Sequence, residues 1–393
     1  MKINACVIFG GRSTEHEVAV ISANQAMHAL NKEKYNVIPL YITKQGVMYS
    51  GEALFDIKNY KNMSKLLEEC YRVVVYNDGN GVIMEKIKKP LFRKEKPVKM
   101  DVAIPVVHGT NVEDGSIQGW LETLNIPYTG CDVTSSALGM DKVAMKDVLV
   151  SHGIPVLPCK CFYSRSWFED KEKILQEIET LSYPVIVKPA NLGSSIGIEI
   201  AKDKDSLVIA IDNACSYAEK ILVEHAISQI REINCSVLGD FTNARASVCE
   251  EPVSADGFLS YDKKYKEGAK GASKGMASTQ RIIPADLSEE NTKEIQGYCL
   301  DTFKVLGCAG VSRIDCMIDG ETNKIYVNEI NTIPGSLSFY LWEKTGLTFE
   351  GLMEELVQIA LKRAREKSNL TFSFDTNLLE LHGGTKGTKG IKG

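Results

Sequence analysis

The segment from Arg313 to Gly335, R-I-D-C-M-I-D-G-E-T-N-K-I-Y-V-N-E-I-N-T-I-P-G, holds two acids, a carboxamide and an arginine at spacings that a turn can bring together. Two apolar runs flank Asp319-Gly320-Glu321-Thr322-Asn323, a turn-forming cluster, which predicts an antiparallel hairpin. Its register sets Asp315 nearly opposite Glu329. With side chains alternating at period two, Arg313 and Asp315 share one face, as do Ile325, Val327, Glu329 and Asn331. The other faces carry Ile314, Cys316, Ile318, Tyr326 and Ile330. Carboxylates crowded into such apolar surroundings repel one another unless a cation neutralises them. Asp315, Glu329 and Asn331 offer oxygen alone, which suits Mg²⁺ or Mn²⁺ rather than zinc, and such an ion suggests a phosphate substrate. The plainer alternative is an edge hairpin whose acids face water.

Signals for phosphate lie elsewhere in the chain. Asn191-Leu192-Gly193-Ser194-Ser195-Ile196-Gly197 separates two predicted strands, and its small residues let backbone N–H groups approach an anion. Lys188, at the end of the apolar run Tyr183–Pro189, is costly to bury without a partner, and a nucleotide phosphate would be one. Lys142 offers a second cation, or else an ordinary helix-surface lysine. Near the start, G-G-R-S-T-E-H-E places Glu15 beyond the first strand, where ligands bind in doubly wound sheets. Thr14 and Glu17 have the spacing of a capping box. A nicotinamide-type reading lacks G-x-G-x-x-G and an acid after the second strand, so it is set aside.

Positioning these groups requires a particular series of elements. Residues 3–9 read as a strand, Gly10-Gly11 as a tight turn and 15–30 as an amphipathic helix, the opening of a doubly wound sheet. Strands follow at 36–42 and 101–107 with a hairpin around 77–81 between them, then a helix at 115–124 and a strand-like I-P-Y-T-G at 126–130. A helix at 141–152 leads to strands near 183–189 and 197–201. Beyond these come strands at 221–226 and 232–239, a long polar loop at 254–281, a helix at 288–306, the hairpin and a helix at 349–366. The tail from 383 to 393 is low-complexity and expected to be flexible.

Composition narrows the function classes. The 393 residues are 44% hydrophobic and 25% charged, an ordinary soluble balance with room for two or three domains. A net charge of −5 gives no reason to expect nucleic acid, and the basic run Lys86–Lys99, interrupted by prolines, reads as a solvated connection. Eleven cysteines without C-x-x-C spacing suit the thiols of a reducing compartment. No stretch approaches a membrane span, and M-K-I-N-A-C-V-I-F-G-G reads as a strand rather than a signal peptide, so the cytoplasm is expected.

Seven motifs in order resemble the D-alanine–D-alanine ligases of the ATP-grasp superfamily. They are G-G-R-S-T-E-H-E-V (10–18), H-G-T-N-V-E-D-G-S-I-Q-G-W-L-E (108–122), I-P-Y-T-G (126–130), M-D-K (140–142), K-P-A-N-L-G-S-S-I-G (188–197), R-I-D (313–315) and N-E-I-N-T-I-P-G (328–335). The resemblance implies an N-terminal doubly wound domain at 1–135, a central ATP-grasp lobe at 136–220 and a C-terminal lobe at 221–370 with a mobile lid at 254–281. It implies an enzyme that phosphorylates the carboxylate of one D-alanine with ATP and captures the acylphosphate with the amine of a second, for peptidoglycan precursors. Carried over by position, Lys142, Lys188, Ser195 and Lys264 meet the nucleotide phosphates, Glu224 and Ile227 line the adenine pocket, and Glu232 holds the ribose. Asp315, Glu329 and Asn331 become ligands to two magnesium or manganese ions. Glu15 anchors the first ammonium, Tyr265 bonds to Ser194 and Glu15, and Arg313 with the Gly335 N–H stabilises the oxyanion. Relatives are commonly homodimers through the first domain.

The acceptor end departs from the family. Most members follow Pro-Gly with threonine, serine, histidine and a serine that holds the acceptor carboxylate, whereas this chain reads Ser336-Leu337-Ser338-Phe339-Tyr340-Leu341-Trp342. Tyr340 falls at that serine's position unless Ser338 takes the role; these two and His108 are the candidate substrate contacts. Val112 replaces a glycine, and the first domain is enlarged between 45 and 100. By the same resemblance Tyr265 favours an amine acceptor, since members that use D-lactate lack this tyrosine, and Leu341 lacks the arginine that some D-serine users place nearby, so D-alanine is the expected acceptor. The competing readings are the same chemistry with D-serine or another amino acid, and a nucleotide-binding regulator without catalysis.

Overall fold

The computed structural model describes residues 2–87, 96–193, 197–252 and 281–373. The first domain is built on β1 (Ile3–Gly10), β2 (Tyr35–Ile42), β3 (Met48–Ser50), β4 (Tyr71–Asn77), β5 (Val82–Lys86), β6 (Val98–Met100) and β7 (Val102–Val106), in the order β6-β5-β4-β3-β2-β1-β7. β1 runs parallel to both β2 and β7. Its near-continuous apolar sequence fits that central, doubly covered place, and Ala5 to Phe9 are fully buried. The enlargement between 45 and 100 forms β3 to β6, an antiparallel extension of this sheet. Helices α1 (His16–Ala29), α2 (Met63–Glu69), α3 (Ser116–Leu124) and α4 (Val133–Met140) belong to the same half of the chain.

Two local expectations fail here. The Thr14–Glu17 capping box is not made: Glu15 is the N-cap residue without a side-chain cap bond, and Glu17 instead accepts from Lys44 Nζ at 2.6 Å. I-P-Y-T-G contributes a single bridge between Tyr128 and Ala103, not a strand.

The central sheet is antiparallel, in the order β10-β9-β11-β8, with β8 (Cys159–Tyr163), β9 (Val185–Pro189), β10 (Glu199–Ala201) and β11 (Lys220–His225). Leu222 and Val223 of β11 pair with Lys188 and Val187 of β9, so this sheet extends beyond residue 220 to His225. Of helices α5 (Lys142–Ser151), α6 (Ser164–Glu169), α7 (Lys171–Glu179) and α8 (Lys204–Ala214), the last three cover one face. That face holds a separate core of Trp167, Ile178, Val185, Val187, Ile211, Ile221 and Val223. Alternation turns Lys188, Leu222 and Glu224 to the opposite face.

The third sheet, order β14-β13-β12-β15-β16, consists of β12 (Ile230–Gly239), β13 (Ala244–Pro252), β14 (Arg281–Ile282), β15 (Gly310–Asp319) and β16 (Ile325–Asn331). The sequence reading had no strand at β13. α9 (Glu289–Val305) covers one face through Ile295, Cys299 and Phe303, joined by Met145 and Leu149 of α5. α10 (Phe339–Thr345) packs on β13, and α11 (Phe349–Lys367) turns back to α1 and β7 of the first domain. As a result Leu337, Trp342, Leu352, Met353, Leu356 and Val357 share one core with β1, β2 and β7. Arg363 reinforces the join, donating to the Gly130 and Tyr128 carbonyls at 2.7 Å each and lying over the Tyr128 ring.

Candidate functional site

The hairpin forms as the sequence requires, with Asp315 opposite Glu329 and Arg313 opposite Asn331. Its faces differ from simple alternation. Cys316 pairs with Val327, leaving Asn328 as the extra residue of a β-bulge. The bulge switches faces, so Ile325 and Val327 join Ile314, Cys316, Ile318 and Ile330 in the core while Glu329 and Asn331 stay opposite Asp315 and Arg313. The expectation that Ile325 and Val327 share the face of Glu329 is therefore corrected. So is the grouping of Tyr326 with the apolar residues, since its partner is Met317.

A polar row crosses the open face of the third sheet. Glu250 on β13 pairs with Asn234 on β12, Asn234 with Asp315 on β15, and Asp315 with Glu329 on β16. Arg313 clamps Asp315 with two bonds, Nε to Oδ1 at 2.6 Å and Nη2 to Oδ2 at 2.7 Å, and Asn331 Nδ2 donates to Asp315 Oδ2 at 3.1 Å. At the other end Lys142 Nζ lies 2.9 Å from Glu329 Oε2 and donates to the Leu192 carbonyl at 2.9 Å. One lysine therefore joins the hairpin to the glycine-serine loop. Asp141 caps α5 and sets the start of the helix from which Lys142 projects.

Lys188 reaches the same region by donating to Asn328 Oδ1 at 3.1 Å, and it also donates to Glu224. Glu224 is fully buried, with Lys146 Nζ 2.9 Å from its second oxygen. Burial pushes the Glu224 carboxyl up, but Lys188 and Lys146 more than reverse this and hold it at about 2. Glu224 thus sits as a shared anion between two lysines. Ile227 lies half-buried in the connection from β11 to β12, and Glu232 pairs with Met317 on the strand face that carries Asn234.

The first domain supplies the opposite wall. The Glu15 carboxylate occupies the space beside Gly109 and Gly193, where an added Cβ on either glycine would come within 2.9 Å of Glu15 Oε2. Two buried side chains tie this wall to the segment before Gly335. Glu113 accepts from the N–H groups of Gly109 at 3.0 Å and Ile333 at 2.9 Å, and from Thr332 Oγ1 at 3.2 Å. Burial pushes its carboxyl up to about 8, with Glu15 adding to the rise. His108 Nδ1 lies 2.8 Å from the Ile333 carbonyl, and Nε2 lies 3.0 Å from Ser22 Oγ, which accepts from the Ser336 N–H at 2.9 Å. Burial lowers the His108 imidazole to about 4, so it is neutral at pH 7, with Nδ1 donating and Nε2 accepting. Both nitrogens of His108, a candidate substrate contact, are thus engaged by protein groups.

After Gly335 the chain makes an unusual turn. Ser336, Leu337 and Ser338 have φ of 53°, 51° and 50°, three successive non-glycine residues in the left-handed region. Ser338 is fully buried and its hydroxyl has no hydrogen-bond partner among the described residues. Tyr340 donates to Glu250 Oε1 at 2.8 Å, and Asn234 Nδ2 donates to the same oxygen at 3.0 Å. Arg281 Nη1 lies 3.3 Å from Glu250 Oε2, with the guanidinium 4.6 Å from the centre of the Tyr340 ring.

Arg313, Asp315, Glu329, Asn331, Lys142 and Lys188 are therefore brought together, with Glu15 and His108 contributed from the facing wall and Gly335 from the segment that this wall holds. Ser194, Ser195, Lys264, Tyr265 and the lid as far as residue 280 lie outside the described residues, as does the 383–393 tail. Lys146, Glu113, Asn328, Asn234, Glu250 and Arg281 escaped the sequence reading. Glu113 and Asn328 lie inside the quoted motifs at 108–122 and 328–335 without a role having been read for them, and Lys146 left a signal of its own, one helical turn after Lys142 on the same face.

An α/β domain followed by two antiparallel lobes that face each other across converging lysines and carboxylates defines an ATP-grasp architecture. The chain belongs to the D-alanine–D-alanine ligase family: the family models described as D-ala D-ala ligase N-terminus and C-terminus match residues 4–131 and 148–358. The chain is 40% identical over 381 residues to the D-alanine–D-alanine ligase of Thermosipho africanus, covering 96% of this chain and 99% of that one. The D-alanine–D-alanine ligase of Caldicellulosiruptor bescii is also 40% identical, with 95% and 99% covered. Among solved structures, the Coxiella burnetii D-alanine-D-alanine ligase superposes with a TM-score of 0.79 at 29% identity, over 94% of this chain and 96% of that one. The VanG D-Ala:D-Ser ligase of Enterococcus faecalis gives 0.76 at 31% identity, over 92% and 100%.

Proposed function

We propose that this protein is an ATP-dependent carbon–nitrogen ligase that joins two D-alanines for peptidoglycan precursor synthesis. The observation that carries the reading is the convergence of Lys142 and Lys188 on the hairpin holding Arg313, Asp315, Glu329 and Asn331. Two flexible cations at one end suit the phosphates of ATP, and a rigid guanidinium at the other suits a developing oxyanion. Full-length similarity to ligases of this name supports the same assignment.

In this reading Glu15 pairs with the ammonium of the first D-alanine and directs its carboxylate toward the γ-phosphate. A carboxylate oxygen attacks phosphorus, ADP departs, and an acylphosphate results. The amine of the second D-alanine, once deprotonated, attacks the acyl carbon; the C–N bond forms and inorganic phosphate leaves. Arg313 and the Gly335 N–H stabilise the charge on the acyl oxygen, and Asp315 holds the guanidinium in place with its two bonds. His108 and Glu113 act earlier, fixing the segment that presents Gly335. Ile227 and Glu232 are assigned to adenine and ribose. Glu224 contacts Lys188 and Lys146, so its part is better described as positioning Lys188.

Asp315 and Glu329 put two carboxylates side by side on one sheet face, with Asn331 beside them and donating through Nδ2 to Asp315, a set whose oxygens are the donors hard cations take. These three residues would hold magnesium or manganese, which when bound neutralises phosphate charge during transfer. No helix among the described residues is long and apolar enough to cross a membrane. The proposal extends to a cytoplasmic homodimer joined through the first domain.

A second reading, with D-serine as acceptor, is favoured by the departure at Ser336–Trp342 and by similarity to a D-Ala:D-Ser ligase. Incubation with ATP, magnesium and D-alanine, with and without D-serine, followed by mass spectrometry, decides between them. The expected product is D-alanyl-D-alanine with matching ADP release. No ADP release from D-alanine alone rejects the main assignment. Glu329→Gln is expected to abolish turnover while its thermal melt stays cooperative; unchanged activity in that variant removes Glu329 from the proposed metal site.

A further inference from the structure

The turn after Gly335 keeps a backbone that its own residues do not favour. Three successive non-glycine residues, Ser336 to Ser338, hold left-handed φ, and such a run persists only where its surroundings fix it. The fixing groups come from α1 and His108. The Ile333 carbonyl can only accept, so in neutral His108 Nδ1 carries the proton and Nε2 is an acceptor. Ser22 Oγ, 3.0 Å from Nε2, therefore donates to it, and in turn accepts from the Ser336 N–H at 2.9 Å. Each bond in this chain has one direction, from Ser336 to Ser22, from Ser22 to His108, and from His108 to the Ile333 carbonyl. Between its two ends lie Pro334, which has no N–H, and Gly335.

The same histidine is tied to the start of α1. Its backbone carbonyl accepts from Ser13 Oγ at 2.6 Å, and Ser13 Oγ accepts from the Glu15 N–H at 3.1 Å. Glu15 is the N-cap residue of α1, and Ser22 lies two turns further along the same face, about 10 Å up the axis. A hydrogen-bonded ring therefore runs from Glu15 through Ser13 and His108 to Ser22 and closes through the helix itself. Ser22 is buried, and its hydroxyl is the point where this ring meets the turn that follows Gly335.

Resting on the ligase reading above, we propose that Ser22 is a positioning residue for capture of the acylphosphate. Through Ser336 it sets the Gly335 N–H against the acyl oxygen, at a spacing from Glu15 fixed by two turns of α1. The donor's ammonium is gripped at Glu15 and its acyl oxygen meets the Gly335 N–H, so one helix gauges both contacts on one small molecule. The phosphate transfer that comes first draws instead on Lys142 and Lys188, whose bonds run to Glu329, Leu192, Glu224 and Asn328. An oxyanion donor acts where charge develops, so a small displacement costs rate rather than binding. Loss of the Ser22 hydroxyl therefore acts on the second half-reaction, in which the amine attacks the acyl carbon, the C–N bond forms and phosphate leaves, and it spares the first.

The test is rapid quench of the full-length enzyme with ATP, magnesium and D-alanine, timing ADP and dipeptide in the same samples. Ser22→Ala is expected to form ADP in its first turnover at the wild-type rate and to form D-alanyl-D-alanine more slowly, by on the order of tenfold. Ser22→Thr, which keeps the hydroxyl, should match wild type in both. A merely structural role slows the two steps together. Equal slowing of ADP and dipeptide in Ser22→Ala, or no slowing of either, therefore overturns the proposal, as does a slow dipeptide step in Ser22→Thr. If Ser22→Ala does not fold, Ser22→Cys takes its place, because a thiol is a weak donor and acceptor, and the same outcomes decide. Wild type that forms no D-alanyl product from D-alanine would instead reject the ligase reading itself.

Discussion

Glu224 shows how a single buried charge sets the position of a functional one. Lys188 and Lys146 both lean on it, and none of the three is appreciably exposed. Removing the anion leaves two buried ammonium groups without their counter-charge, which costs far more than the pair adds to stability. Glu224→Gln is expected to lower stability by about 3–5 kcal/mol and to weaken ATP binding, as read by a melt and by nucleotide titration. Because the Glu224 carboxyl is depressed from 4.5 to about 2, its contribution is complete above pH 4.5 and is lost as pH falls toward 2. In the sequence, Lys188 was conspicuous as a lysine stranded in Val-Ile-Val-Lys-Pro, and a phosphate was inferred as its partner. The partner in the structure is a carboxylate 36 positions away across a strand pair, a relation that local sequence does not encode.

Among elements, the segment from Ile333 to Ser338 depends on contacts from far away in sequence. His108 and Glu113 grip its backbone and titrate in opposite senses. Folded His108 resists protonation until about pH 4, so between the ordinary 6.5 and 4 its contribution is lost as pH falls. Folded Glu113 holds its proton up to about pH 8, so between 4.5 and 8 its contribution is lost as pH rises. The two slopes oppose each other between pH 4.5 and 6.5. His108→Asn should therefore expose the Glu113 slope, making the variant relatively more stable as pH falls through that window, by up to about 3 kcal/mol against wild type. Glu113→Gln should show the reverse, and melting curves at half-unit pH steps would detect both. The element boundaries themselves were largely legible: α1, α3, α9, α11 and the hairpin lie within a residue or two of expectation. The bulge at Asn328 was not, because period-two reasoning assumes an unbroken pleat, and an inserted residue reverses every face before it. β13 was missed for another reason. Its Ala-Arg-Ala-Ser-Val-Cys-Glu-Glu-Pro has weak alternation and places an acid, Glu250, on the site face.

For the molecule as a whole, the arrangement of cores matters more than the number of domains. The central lobe has its own apolar core, whereas the first domain shares one with α10 and α11. The central lobe is thus expected to move as a unit against a rigid remainder, with hydrogen exchange at its linkers faster than in β1 or α11. Arg363 lies on the rigid side of that division and outside the proposed chemistry. Arg363→Ala should lower the melting temperature and speed proteolysis near Gly130 while leaving the KM for ATP within about twofold, because the bonds lost, worth about 1.5–3 kcal/mol each with a charged donor, join the first domain to α11.

The shared core also imposes an order on biosynthesis. Residues 5–128 leave the ribosome long before Leu337, Trp342 and Leu352 to Val357, yet those late residues complete the packing of β1, β2 and β7. The nascent first domain therefore waits with an uncovered apolar face, and its expression as a fragment ending near residue 131 should give a product that binds hydrophobic dyes and associates with chaperones, whereas adding the late helices in trans should suppress both.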